Sequence, residues 1–276
     1  MTAGGRRIRE MIEAAGWRPA IGCAVGILVV TAATVLVCRA EPRGEDVAAE
    51  ISPIPLDGPH AYSVEYLGIT CGHMTLESRL EEYQGRPAYH IIVTARNSRF
   101  FNKIYKVDGR IDSWVDAETM STLAYESDVM ERGKKKIKRY HIDAEKGVVT
   151  AERRGKIREI PYEGEPALDP LAFVYRGRAL AEGTGTRFAL RILTDHGPAD
   201  TVTQVGDLKR FRTYNGKRML LRVQPLPADA EMFSRKGEFV YWIDPGPERT
   251  LYRLDFKLGF GRLLAKLKGP VSSEDD

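Results

Sequence analysis

Met74–Ala95 reads MTLESRLEEYQGRPAYHIIVTA, and this stretch decides the fold class. Met74, Leu76, Ser78 and Leu80 alternate with Thr75, Glu77 and Arg79, the two-residue period of a half-buried strand. Gln84-Gly85-Arg86-Pro87 supplies turn residues. Ala88–Ala95 is then dense in β-branched and aromatic side chains, which suit a pleated surface. Alternation, turn and a second strand-forming run together predict an antiparallel hairpin.

The same signals repeat on both sides. Ala61–Leu67 alternates, and Lys106–Val115 sets Val107, Ile111 and Val115 on one face against Asp108, Arg110 and Asp112 on the other. Tyr140–Ile142 and Val148–Ala151 flank Asp143–Gly147, a hairpin loop. Further strands are expected at Arg187–Ile192, Arg218–Gln224, Glu238–Ile243, Thr250–Lys257 and Arg262–Leu267. Short strands at this spacing indicate a mainly β chain, an antiparallel β-barrel or half-barrel. One helix interrupts it over about 169–182: Asp169 offers the N-cap, Pro170 sits at the first helical position, and Gly183 ends it. No linker divides residues 62–269, which read as one β domain, followed by a short acidic tail at 270–276.

Ahead of the domain lies AIGCAVGILVVTAATVLVC, Ala20–Cys38, 19 residues without a charge. That length crosses a bilayer as a helix. Arg6, Arg7, Arg9 and Arg18 precede it, so residues 1–19 are expected in the cytoplasm and the bulk of the chain outside. A transmembrane anchor is the favoured reading, because signal-peptide cores are shorter; the alternative is cleavage after Ala40, which would free the domain into the periplasm. Cys38 follows Val37 where a lipoprotein site wants a small residue. Residues 39–61 hold four prolines and read as a stalk.

The chain has 276 residues, 43% hydrophobic and 29% charged, a globular composition that excludes whole-chain disorder. Three cysteines exclude a disulfide-stapled scaffold. Beyond the anchor only Cys71 remains, and it reads as a small buried residue despite His73 two positions on. The net charge is +4, of which residues 1–40 carry +3, so the basic balance points to no nucleic-acid partner.

Tyr66-Leu67-Gly68-Ile69-Thr70-Cys71-Gly72, Ala95–Phe101 and Ile104–Val107 together resemble the opening of the bacterial "domain of unknown function 3108" family. Asp169–Arg176 (DPLAFVYR) resembles its central helix motif, and Tyr241-Trp242-Ile243-Asp244 its late strand. The similarity runs over about residues 60–267. It implies a mostly β Gram-negative envelope protein without an established activity, and so carries over no catalytic residue. Cys71 stands where the family pattern leads us to expect a smaller residue such as Ala, in keeping with burial.

No catalytic motif is legible: there is no Gly-x-Ser-x-Gly, His-Glu-x-x-His, phosphate loop or Cys-x-x-Cys. The five histidines are scattered, and no pair has metal-ligand spacing. Asp108 and Asp112 on one strand face are about 13 Å apart, too far for one cation. Asp169 near Tyr175 and Arg176 could serve as an acid or base, but its place before Pro170 accounts for it as a cap. The expectation is therefore no enzyme, no cofactor and no metal, with an envelope hydrolase as the minor alternative.

The unusual feature is basic. Residues 131–158 hold 11 Lys and Arg against four Asp and Glu. A hairpin turning near Glu145 would set Lys136 opposite Arg154, Lys134 opposite Lys156 and Arg132 opposite Arg158. Like charges directly opposite destabilise a hairpin unless solvated or matched to an anion. The bland reading is a charged edge that prevents aggregation; the functional one is contact of these six residues with anionic lipid or lipopolysaccharide. The sequence thus points to a membrane-tethered periplasmic β domain, single-pass in the inner membrane, that binds an apolar or amphipathic envelope molecule. The alternative is a structural protein that docks on another envelope component.

Overall fold

The structure is a computed structural model that describes residues 53–98, 101, 107–131, 134–153, 155–164, 167–194, 197–226, 238–258 and 261–271. The expected anchor, Ala20–Cys38, lies outside the described residues. Among the described residues no helix is long and apolar enough to cross a membrane.

Fourteen strands follow in order: β1 (His60–Tyr66), β2 (Ile69–Tyr83), β3 (Arg86–Asn97), β4 (Val107–Asp116), β5 (Thr122–Glu131), β6 (Lys134–Asp143), β7 (Val148–Arg153) and β8 (Lys156–Pro161), then β9 (Arg187–Thr194), β10 (Gly197–Thr213), β11 (Gly216–Leu226), β12 (Glu238–Ile243), β13 (Leu251–Leu258) and β14 (Gly261–Pro270). Helix α1 (Pro170–Leu180) stands between β8 and β9. All fourteen strands form one sheet in the order β8-β7-β6-β5-β4-β3-β2-β1-β14-β13-β12-β11-β10-β9. Sequence neighbours pair except β8 and β9, and β1 with β14 joins the two ends of the domain, with Val64 opposite Ala265. The free edges are β8 and β9, the strands that flank α1 in sequence. The sheet is an open half-barrel and does not close.

The connection between β8 and α1 reaches toward both edges. Tyr162 N–H donates to the Gly147 carbonyl beside one edge. At the other edge Leu168 donates to Arg191 and accepts from Leu193, a parallel bridge to β9.

The period of two sets the layers. On β3 and β4, Ile91, Val93, Ile111 and Val115 face inward and are buried, as are Leu263, Ala265 and Leu267 on β14. Helix α1 crosses this concave side and is buried on most of its surface, including Ala172, Phe173, Tyr175, Gly177 and Arg178. It touches β4 and β5 through Asp169 and β12 through Gly177, so the two halves of the sheet face one another across it. The helix begins as its sequence predicts. The Asp169 carboxylate accepts from Leu171 and Ala172 N–H, capping two of the donors that a helix start leaves open.

Two expectations change. The stalk was expected to run to residue 61, yet Ile54 is buried in the core and Asp57 exchanges hydrogen bonds with Ser78 on β2. Residues 53–59 are therefore part of the domain; their apolar and acidic side chains find partners that composition does not reveal. Cys71 and His73 were expected on one strand face. Val64 pairs with Gly72 and Glu65 with Thr70, so Cys71 is the extra residue of a bulge. Cys71 turns inward and donates to the Val64 carbonyl at 3.4 Å, while His73 is exposed. Burial pushes the Cys71 thiol up to about 12, away from thiolate chemistry.

Candidate functional site

A cleft of about 890 Å³ opens at the end of the half-barrel that carries the β2–β3, β4–β5 and β6–β7 turns. Met120, Ile142, Leu168, Leu180, Ala189 and Leu190 give it apolar walls. Arg86, Arg176 and Arg191 stand around them with Asp116, His141 and Glu145. Its shape follows from the open sheet, because α1 and β9 form the side that a closed barrel would fill with another strand. Arg176 is largely buried, and that burial lowers its pKa. Asp116 is engaged at the β4–β5 turn, where it accepts from Glu118 and Thr119 N–H at 2.9 and 2.8 Å.

Two buried polar clusters anchor α1 beside this cleft. Asp169 accepts from Ser113 Oγ at 2.6 Å and Thr122 Oγ1 at 2.8 Å as well as from its own helix. Burial raises its pKa against those four donors. Every lone-pair direction of this carboxylate is occupied, which supports the capping role over acid–base chemistry. At the helix end Arg178 donates to both oxygens of Asp57 and, through Nε, to the Arg249 carbonyl at 2.9 Å. Burial would lower the Arg178 pKa, but the Asp57 carboxylate overrides it and holds the guanidinium charged. Tyr62 and Tyr175 beside the pair are raised by burial.

A third cluster lies on the convex face. His90 Nδ1 is 2.9 Å from Glu81 and Nε2 is 2.8 Å from Asp112, and the ring stacks on Trp114 with centroids 4.5 Å apart. Arg110 grips Asp112 with two hydrogen bonds of 2.8 and 2.6 Å. Of the aspartates read as a solvated strand face, Asp112 is thus a member of an ordered ion network. No group of His, Cys, Asp and Glu suited to a metal occurs among the described residues.

The basic residues are placed differently from the sequence expectation. Gly155, with φ of 73°, turns the chain back after Arg153, so β7 is short and β8 forms a second hairpin. Lys138 pairs with Arg153 across β6 and β7, and Arg153 with Lys156 across β7 and β8. Lys134 and Lys136 instead pair toward β5, opposite Glu131 and Val129. The expected Lys134–Lys156 pair is therefore not formed; Arg154 and Arg132, the expected partners of Lys136 and Arg158, lie outside the described residues. Arg158 pairs with Ala151, so its expected partnership with Arg132 is also replaced. Lys138 and Arg153 belong to the same set, and sequence reasoning missed them because β6 and β7, joined at Asp143–Val148, pair one residue away from the expected register.

The cleft residues and the Asp57–Arg178 pair were not legible as a site. Arg176, however, sits within the helix motif that the sequence singles out.

The model of the family described as Protein of unknown function (DUF3108) matches residues 61–268. Comparison with curated proteins gives no match. Among solved structures, a β-barrel-like protein of the domain of unknown function DUF1849 from Brucella abortus is similar, with TM-score 0.53 and 10% identity over 78% of this chain and 96% of that one. A candidate exported protein with a YmcC-like fold from Bacteroides fragilis has TM-score 0.30 and 10% identity over 80% and 99% of the two chains. A candidate lipoprotein from Parabacteroides distasonis has TM-score 0.33 and 8% identity, again over 80% and 99%.

Proposed function

Since the chain belongs to the family Protein of unknown function (DUF3108), whose model spans its β domain, we propose that it is a cell-envelope binding module that holds an apolar or amphipathic molecule. The observation that carries this reading is the cleft of about 890 Å³ between α1, β9 and the three turns. Its volume and mixed lining are those of a small-molecule or lipid pocket. The buried acids near it are engaged, Asp169 in the helix cap and Asp116 in the β4–β5 turn, which weighs against hydrolysis. Residues 20–38 would tether the domain to the inner membrane with the β domain in the periplasm; cleavage after Ala40 is the alternative.

Native mass spectrometry of the full chain, extracted in a neutral detergent, tests the reading. A retained lipid-sized mass is expected, and Leu190→Trp, which fills the cleft, should remove it. A chain that retains nothing, or a mass indifferent to Leu190→Trp, would overturn it. Sequencing the N-terminus of the mature protein separates anchor from cleavage.

A further inference from the structure

The basic residues of β6–β8 share one face of the sheet. Antiparallel partners point to the same side, so the ladder can be followed strand by strand. Val129 and Ser127 on β5 are buried on the concave side and pair with Lys136 and Lys138. Lys134 lies in phase with them two residues earlier. Lys138 pairs with Arg153, Arg153 with Lys156, and the buried Val149 with Ile160, which puts Arg158 in the same row. Lys134, Lys136, Lys138, Arg153, Lys156 and Arg158 therefore all face inward, at the strand ends opposite the cleft. Lys138 Nζ stands 4.8 Å from the centre of the Tyr140 ring on that side.

The convex side of the same strands is different. There Lys135 bonds Asp128 at 2.7 Å, and Arg139 bridges Glu126 and Glu152 at 3.4 and 2.9 Å. Outward cations are matched by acids. Inward, Lys134, Lys156 and Arg158 have no ion-pair partner among the described residues. Edge protection accounts for Lys156 and Arg158 on the free edge β8, but not for Lys134, Lys136 and Lys138, which are on β6, two strands inside it. Further along β6 and β7 the same row continues into Tyr140, Ile142 and Val149, all buried. Ala151, opposite Arg158, and Ile160, opposite Val149, are half-buried on the same face, and a cationic end beside such apolar surface matches an anionic headgroup joined to an apolar body.

From this we infer that the concave face of β6–β8 is a binding site for the headgroup of an anionic membrane lipid. Its cations lie at the other end of the strands from the cleft, which the same row reaches at Ile142. A loose polyanion needs the charge alone; the convex face carries an exposed apolar side chain too, Ile157, but its cations are already matched by acids.

The test uses the full chain in neutral detergent with fluorescent phosphatidylglycerol and fluorescent phosphatidylcholine as probes. The wild type should bind phosphatidylglycerol in preference, and increasingly so at low salt. Lys134→Gln, Lys156→Gln and Arg158→Gln together should weaken phosphatidylglycerol about a hundredfold, from the usual contribution of each cation near an anionic headgroup, and leave phosphatidylcholine unchanged. All three side chains are exposed, so the melting temperature should hold. Lys135→Gln with Arg139→Gln, on the convex face, should leave the preference intact. Inorganic phosphate in excess should displace neither lipid. Equal binding of the two lipids by the wild type overturns the inference while sparing the cleft; binding of neither overturns it outright. Equal losses from concave and convex substitutions, or displacement by phosphate alone, also overturn it.

Discussion

Arg178 and Asp57, 121 residues apart in sequence, form a two-pronged ion pair in the interior, where the Arg178 side chain is 0% exposed and that of Asp57 5%. The pair ties the segment ahead of β1 to the last turn of α1. Neither group has water to fall back on, so its worth shows when one partner is removed.

Asp57→Ala should therefore cost about 3–5 kcal/mol, because it leaves a buried guanidinium uncompensated. Asp57→Asn, which keeps an acceptor, should lose less. Replacing both partners with apolar residues, Asp57→Leu with Arg178→Met, should recover most of the loss. Urea midpoints of the three variants check the order; a single Asp57→Ala variant as stable as wild type would contradict a structural pair.

Gly177 is where α1 meets β12. A Cβ there would lie 2.1 Å from Tyr241 Oη but 3.4 Å from Tyr241 Cζ. Gly177→Ala should cost about 1–3 kcal/mol by overpacking. Adding Tyr241→Phe should restore stability, since the clashing oxygen is gone and has no hydrogen-bond partner among the described residues. Thermal melting of the single and double variants reads this directly.

Asp169→Ala removes the helix cap and strands the Ser113 and Thr122 hydroxyls, and should cost about 2–4 kcal/mol. Asp169→Asn keeps the cap oxygen and should lose less. Helix content by circular dichroism should fall in the alanine variant ahead of strand content.

The ion network around His90 predicts a pH dependence. Burial alone would raise the Asp112 carboxyl, but His90 and Arg110 hold it below its ordinary 3.8. A folded-state value below the unfolded one stabilises the protein above the unfolded value, and the gain is lost as pH falls through the folded value. The stability difference between wild type and Asp112→Asn should thus be full at neutral pH and vanish in acid below 3.8. Asp169 has the opposite sign, since burial raises it. Its contribution is fully present below the unfolded value and lost as pH rises through the folded one. Urea midpoints from neutral pH down to about pH 3 separate the two.

The elements that declare themselves locally were legible. Met74–Leu80 and Ala88–Ala95 pair as the hairpin their alternation predicts, with Leu76 opposite Val93, and Asp169-Pro170 starts the helix. β5 was missed because Ser127 interrupts its buried side while Glu126 and Asp128 fill the other with charge, and β10 because Gly206 and Asp207 interrupt a bulged strand. β8 was hidden by composition: LysIleArgGluIlePro reads as a solvated charge run, and it takes the turn at Gly155 to make it a strand. The partners of the basic set changed for two reasons: β6 pairs with β7 one position from the expected register, and the turn at Gly155 carries Lys156 and Arg158 onto β8. The cleft and the Asp57–Arg178 pair depend on contacts between distant parts of the chain, and one chain's residue pattern carries no trace of which acid meets which arginine.

The position of β1 has a mechanical consequence. It lies between β2 and β14 in the middle of the sheet, bonded on both sides, and the chain ahead of it is latched by Asp57. A pull on the residues preceding Ile54 acts along β1 and loads two ladders in shear, many hydrogen bonds at once, with the buried latch bearing on α1. The same pull on β8 would peel a single ladder one bond at a time. Resistance to force is a matter of the unfolding barrier and not of net stability. A domain held by its N-terminal side is thus gripped by its least detachable strand, while its most detachable one, β8, carries no load.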